Sequence, residues 1–245
     1  MIAANIDTAF IVQSCHFDFN PGRLDRYLIM AADGQVEPVV LLTKTDLVTP
    51  EELEQKLALL RAVTPARVLA LSNITGSGLE ELQQTLAAGK TYCLLGSSGV
   101  GKTTLINRLL GQDAFATKAV SSTGEGTHAT SRRQLIVLSQ GAMLIDTPGM
   151  RELGLAGAGA GVDTGFEDIA ELAAQCRYAD CSHEHEPGCA VRAAVETGQL
   201  PEDRYTSYLK LKKESEYYEM SSLDKRRKDK AFGRFIKSVK KQRKH

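Results

Sequence analysis

The chain has 245 residues, 42% of them hydrophobic, and its 30 basic and 30 acidic side chains cancel to a formal charge of zero. No apolar run approaches the roughly 20 residues that a membrane-crossing helix needs, and no signal-peptide pattern opens the sequence. The composition suits a cytosolic α/β protein, and the length suits one domain of about 150–170 residues plus a smaller appendage.

In chain order, residues 8–13 read as a strand and 20–32 as a helix that begins near Pro21. A strand at 39–42 and a helix at 50–63 follow, with Pro50 suited to a first helical turn. The next strand covers 68–71 and ends at Ser72, and residues 76–88 form another helix. A buried strand at 91–95 leads through a glycine-rich turn into a helix over 102–110. Residues 111–133 are polar and Thr-rich, as a switch segment would be, although a surface loop would look similar. Two runs, 136–138 and 142–145, flank Gly141 and predict an antiparallel hairpin. Residues 154–165, rich in Gly and Ala, read as a second switch segment and hinge, and residues after 190 as helical with a break at Leu200-Pro201. Such strand–helix alternation predicts an α/β fold, a mostly parallel sheet with helices on both faces.

Three motifs carry chemistry. Gly96-Ser97-Ser98-Gly99-Val100-Gly101-Lys102-Thr103 fits the phosphate-loop pattern, between the strand and the helix that this pattern requires. Its glycines let backbone amides face a β-phosphate, Lys102 adds charge at the β/γ oxygens, and Thr103 offers a hydroxyl to Mg²⁺. Thr104 follows directly and counts among the nucleotide-contacting residues. Asp146-Thr147-Pro148-Gly149 ends a second apolar run, where Asp146 can hold Mg²⁺ through water and the Gly149 amide can approach a γ-phosphate. Thr43-Lys44-Thr45-Asp46 ends the strand at 39–42. The Asp46 carboxylate there matches the two hydrogens of a guanine edge, and the Lys44 stem would lie along the base. Ser72-Asn73 resembles the loop that backs the base, though a plain strand-to-loop turn explains it about as well.

The cysteines divide by context. Cys176, Cys181, His183 and Cys189 offer three thiolates and an imidazole within one loop, enough for a closed tetrahedral Zn²⁺ site of structural type. His185 is the competing imidazole. Cys93 reads as core, and Cys15 has no partner in this reading. Charge is also divided: residues 225–245 hold eleven Lys/Arg and one acid, about +10, which leaves the remainder near −10. Phe232 and Phe235 lie among those basic residues, so the tail suits phosphate contacts; a solvated helix or frayed terminus is the plainer reading.

The order base reader, backing loop, phosphate loop, Asp-Thr-Pro-Gly and Cys/His cluster resembles the RsgA family of circularly permuted GTPases, which act late in small-subunit assembly. Ala4-Asn5-Ile6-Asp7, Arg23-Leu24-Asp25-Arg26-Tyr27-Leu28, Gly126-Thr127-His128 and Gly149-Met150-Arg151-Glu152 are further matches, and together they cover essentially the whole chain. The resemblance implies a permuted P-loop GTPase domain over 1–160, a small, mainly helical zinc domain over 161–224, and a basic tail over 225–245. It implies GTP/GDP and Mg²⁺ at the first, one Zn²⁺ at the second, and His183 as the imidazole ligand. The implied partners are the small ribosomal subunit and its 16S rRNA, for a cytoplasmic protein expected to be a monomer.

Two departures from the family accompany the resemblance, one at the start of the sequence and one at Ala129. Family members begin with a small RNA-binding OB-fold barrel, whereas this sequence starts at the Ala-Asn-Ile-Asp stretch, as a truncated form or one with a late-assigned start would. Met150 stands where Ras-type enzymes place a water-positioning Gln. His128 is then the candidate catalytic group beside Lys102, with a surface-loop histidine as the plainer alternative. The family has Thr where Ala129 stands, so Thr130 is the candidate switch ligand for Mg²⁺. GTP would order the two switch segments through γ-phosphate and Mg²⁺ contacts, and the second runs straight into the zinc region. The alternative function is a module that holds GTP and docks on RNA with little turnover; Asp46 argues against a P-loop kinase.

Overall fold

The structure is a computed structural model that describes residues 4–16, 19–115, 134–147, 162 and 165–221, together with 224, 226 and 230. His128, Thr130, Gly149 and Met150 lie outside the described residues, as do most of both switch segments and of the basic tail. The chain divides into two compact units, Met1–Leu153 and Gly154–His245. Among the described residues no helix is long and apolar enough to cross a membrane.

The first unit is built on strands β1 (Thr8–Ser14), β2 (Glu37–Thr43), β3 (Arg67–Ala70), β4 (Thr91–Leu95), β5 (Gln134–Val137) and β6 (Met143–Asp146). They form one sheet in the order β3-β2-β1-β4-β6-β5. Every pairing is parallel except β5 with β6, the expected hairpin, in which Ile136 faces Leu144. Helices α1 (Pro21–Asp33), α2 (Pro50–Val63), α3 (Leu79–Thr85) and α4 (Lys102–Leu110) connect the strands.

Alternation along the strands sends side chains to two cores. Phe10, Val12, Leu41 and Leu94 pack with Leu82 of α3 and with Leu105 and Ile106 of α4. Ala9, Ile11, Val40 and Cys93 pack on the opposite face with Leu24 and Tyr27 of α1 and with Leu57 and Leu60 of α2. Parallel strands buried on both faces need such continuous apolar runs. Cys93 is core, as its place in the strand implied.

Helix starts follow local chemistry. Asn20 caps α1 by accepting from Arg23 N at 3.0 Å. Thr49 and Glu52 form a reciprocal capping box ahead of Pro50, with bonds of 2.9 and 3.2 Å. α3 is shorter than the 76–88 predicted. Its first residues form a turn instead, because Gly76 and Gly78 both take positive φ, and a Cβ at Gly78 would lie 2.1 Å from Ala70 O.

The second unit contains α5 (Glu167–Ala173), α6 (Ala190–Glu196) and α7 (Glu202–Glu219), with the break between the last two at Leu200-Pro201 as predicted. Phe166 is fully buried and meets Tyr208 edge-on at 5.4 Å. Arg204 clamps the unit by pairing with both oxygens of Asp168 while its guanidinium lies 4.6 Å from the Phe166 ring centre.

Candidate functional site

Strand order decides where a ligand can sit. From β1 the chain steps outward through β2 and β3, and from β4 it turns to the other side of the sheet, so the connections diverge between neighbouring β1 and β4. In open parallel sheets the crevice at such a divergence, beyond the carboxyl ends of the strands, is where ligands bind. Residues 96–101 occupy that point.

Gly96 adopts φ +150°, and a Cβ there would lie 2.4 Å from Val12 O, so only glycine lets the loop lie against β1. Val100 has its side chain in the core, which leaves its backbone to the loop. Gly101 precedes α4 in a left-handed conformation and provides no side-chain cap. The first amides of α4 therefore face the crevice as an anion site. Lys102 is 7% exposed, and its ammonium donates to Gly96 O at 2.8 Å and Ser97 O at 2.7 Å. Thr103 and Thr104 follow in the first turn of α4, and Ser98 and Gly99 are the partly exposed crest of the loop.

The tetrad Thr43–Asp46, the candidate base reader, ends β2 beside this loop. Thr43 is fully buried, and its hydroxyl lies 2.6 Å from Val100 O and 3.0 Å from Gln13 O, one proton shared between two acceptors. Its side chain thus braces the tetrad, the phosphate loop and the end of β1 together. Lys44 takes φ +60° and opens the 3₁₀ turn Thr45–Leu47, which brings Asp46 outward. Ser72, also buried, donates its hydroxyl proton to Asp46 Oδ1 and accepts from the amides of Ile74 and Thr75 at 3.1 Å each. Asp46 is therefore an exposed carboxylate held in one orientation. Asn73 donates from Nδ2 to Gly101 O at 3.1 Å, and Arg108 Nε donates to Asn73 O at 2.7 Å. Asn73 Oδ1 is buried without a hydrogen-bond partner among the described residues.

Asp146 closes the set. It ends β6 opposite Leu94 of β4, is 3% exposed, and is followed by Thr147, whose hydroxyl donates to Leu94 O. A buried carboxylate at the sheet's carboxyl edge, with the Thr103 hydroxyl on the neighbouring helix, is a hard-oxygen donor set of the kind Mg²⁺ takes.

In the second unit, Cys176, Cys181, His183 and Cys189 place their ligand atoms within 4.8 Å of one another. His183 Nδ1 lies 3.6 Å from Cys176 Sγ and 3.5 Å from Cys189 Sγ, and those two sulfurs are 3.9 Å apart. Ligands about 2.0–2.3 Å from a tetrahedral Zn²⁺ are separated by roughly 3.5–3.8 Å, so the residues fit one zinc ion. Backbone geometry selects the imidazole: His183 is 3% exposed at φ +66° and its carbonyl accepts from Tyr205 Oη at 2.7 Å, whereas the His185 side chain is 91% exposed. Amides of Ala190 and Arg192 point to Cys176 Sγ and Cys189 Sγ at 3.4 Å each and help to orient both sulfurs. Protein prepared without chelator is expected to carry one zinc per chain, lost in Cys181→Ser. Chelation should raise amide exchange across 170–195 while GDP binding persists. Metal analysis that finds no zinc in such protein would refute the assignment.

One side chain of a matched motif was given no place at the site by the sequence. Arg23, in the first turn of α1, donates from Nη1 to Ser97 Oγ at 2.7 Å. The available signal was topological, since the helix after β1 had to begin beside the phosphate loop.

A mostly parallel sheet with the phosphate loop at its switch point, and the candidate base reader ahead of that loop in the chain, defines a circularly permuted P-loop GTPase fold. Solved structures agree. YjeQ from Thermotoga maritima shares 29% identity at a TM-score of 0.64, over 86% of this chain and 71% of that one. YloQ, described as a circularly permuted GTPase, shares 25% at 0.60, over 89% and 70%. The sequence model of the RsgA GTPase family matches residues 1–156, and the chain belongs to that family. A relative from Lactiplantibacillus plantarum, named small ribosomal subunit biogenesis GTPase RsgA 2, is 50% identical over 91% of this chain and 62% of its own length. The chain spans about three fifths of the length of such relatives.

Proposed function

We propose that this protein hydrolyses GTP as a late assembly factor of the small ribosomal subunit. The observation that carries the reading is the Ser72-held Asp46 carboxylate, joined through Thr43 and Asn73 to a phosphate loop at the switch point, in a chain of this family. Asp46 pairs with the guanine edge, the Lys44 stem covers the base, and residues 96–104 take the phosphates. Thr103 and Asp146 would hold Mg²⁺, joined by Thr130 of the switch, and the ion would supply positive charge to the phosphates. Water adds to the γ-phosphorus, the bond to the β–γ bridging oxygen breaks, and GDP and phosphate leave. His128 orients that water, and the Gly149 amide meets the γ-phosphate.

Zinc at Cys176, Cys181, His183 and Cys189 is structural, since four protein ligands leave no position for water. The basic residues 225–245 contact 16S rRNA, and the protein works as a cytoplasmic monomer. The names of its relatives support the ribosomal partner.

Phosphate release from GTP, measured with and without purified small subunits, tests the whole reading. Turnover should rise severalfold or more with subunits, and the rise should weaken in a chain lacking 225–245. The salt dependence of subunit association should flatten in that shortened chain, because each lost phosphate contact removes about 0.7–0.9 from the logarithmic slope. GDP binding with no turnover under either condition would favour the GTP-holding module instead.

A further inference from the structure

Among the described residues of the first unit, the phosphate loop is gripped from outside its own motif by an arginine. Ser97 is 1% exposed and sits between two cations. Arg23 Nη1 donates to its hydroxyl at 2.7 Å, and Lys102 Nζ donates to its carbonyl at 2.7 Å. The backbone of Arg23 is itself fixed. Its amide donates to the Asn20 side chain at 3.0 Å, and the Asn20 carbonyl accepts from Gln13 Nε2 at 3.1 Å. Gln13 follows Val12, whose carbonyl is the surface on which Gly96 rests. One strand end therefore positions both the loop and the arginine that holds it.

The physical need is clear from the loop's composition. Gly96, Gly99 and Gly101 all sit at positive φ, so the backbone between them has many alternatives to its binding shape. A ligand that orders such a loop loses affinity in doing so, and a bond that orders it beforehand restores that affinity. A charge-assisted bond to a buried hydroxyl is strong enough for that role.

We propose that Arg23 is a positioning residue for nucleotide binding, which acts through Ser97 to hold the phosphate loop in the shape that receives a nucleoside diphosphate or triphosphate. The inference rests on the guanine-nucleotide reading above. Acting through the loop, Arg23 supports GDP and GTP alike; an arginine touching the γ-phosphate would support GTP alone and raise turnover.

The test is a double-mutant cycle in the full chain, with fluorescent GDP and a non-hydrolysable GTP analogue as probes. Arg23→Met and Ser97→Ala should each weaken both nucleotides by about ten-fold, the scale of one hydrogen bond to a charged group. The double variant should bind no more weakly than either single one, because both changes remove the same bond. In turnover by Arg23→Met, KM should rise in step while kcat stays within about two-fold. A purely structural role would lower Tm without this coupling in nucleotide affinity. Should Arg23→Met fail to fold, Arg23→Gln carries the test, since it keeps a polar side chain and removes the cationic donor.

Unaltered binding in a folded Arg23→Met or Ser97→Ala overturns the inference, as do additive losses. Loss confined to the GTP analogue with a lowered kcat also overturns it, and makes Arg23 a direct phosphate contact. If the wild-type chain binds neither nucleotide, the guanine reading itself fails and the inference falls with it.

Discussion

Replacement of Asp46 by Asn is expected to weaken GDP binding by about 10²-fold or more, because a site built to accept a paired donor edge discriminates strongly when one acceptor becomes a donor. Xanthine nucleotide, whose altered edge complements the amide, should recover binding. The structure sharpens this expectation through Ser72. Its hydroxyl donates to Asp46 Oδ1 while accepting from two amides of its own loop, so its direction is fixed. Competition binding with GDP, XDP and ATP measures the outcome. Unchanged GDP affinity in Asp46→Asn, with ATP competing equally, would show that the base is read elsewhere.

His128→Ala should lower subunit-stimulated hydrolysis by about 10²-fold while GDP affinity stays within a factor of about two, as when a water-positioning group is lost and ground-state contacts survive. The motivation is chemical. Met150 follows Gly149 where a Gln would orient the attacking water, and a thioether can neither orient nor polarise it. Lys102→Ala should differ in kind. Its ammonium is buried against the Gly96 and Ser97 carbonyls at the phosphate site, so its loss should impair binding and turnover together. Single-turnover phosphate release with and without subunits, alongside GDP titration, separates the two cases. A His128→Ala variant with full stimulated turnover would place the water-orienting group on the ribosome.

Much of this protein was legible in its sequence because the governing signals are local. Strand β4 (Thr91–Leu95) and helices α2 (Pro50–Val63) and α4 (Lys102–Leu110) have the predicted bounds, since apolar runs, Pro50 and the glycines of the phosphate loop act on residues a few positions away. The Cys/His spacing was likewise readable within one loop, and the order of the motifs placed the chain in its family. Strand β5 lies slightly earlier than predicted, at Gln134–Val137, because its bounds follow pairing with β6 rather than its own apolar residues.

What the sequence left open was decided by parts of the chain far apart in number. Spacing alone permitted His183 or His185; Tyr205, 22 residues on, bonds the His183 carbonyl, and the fold buries that residue while it leaves His185 in solvent. Ser72-Asn73 read equally well as a simple turn until parallel pairing of β2 and β3 set Ser72 against Asp46. Thr43 carried no sign of its bond to Val100, 57 residues away, nor Arg23 of its bond to Ser97, 74 residues away. Local propensity and periodicity report on neighbours along the chain. A hydrogen bond between loops exists only after the sheet has brought the loops to one edge, so tertiary structure alone could assign these partners.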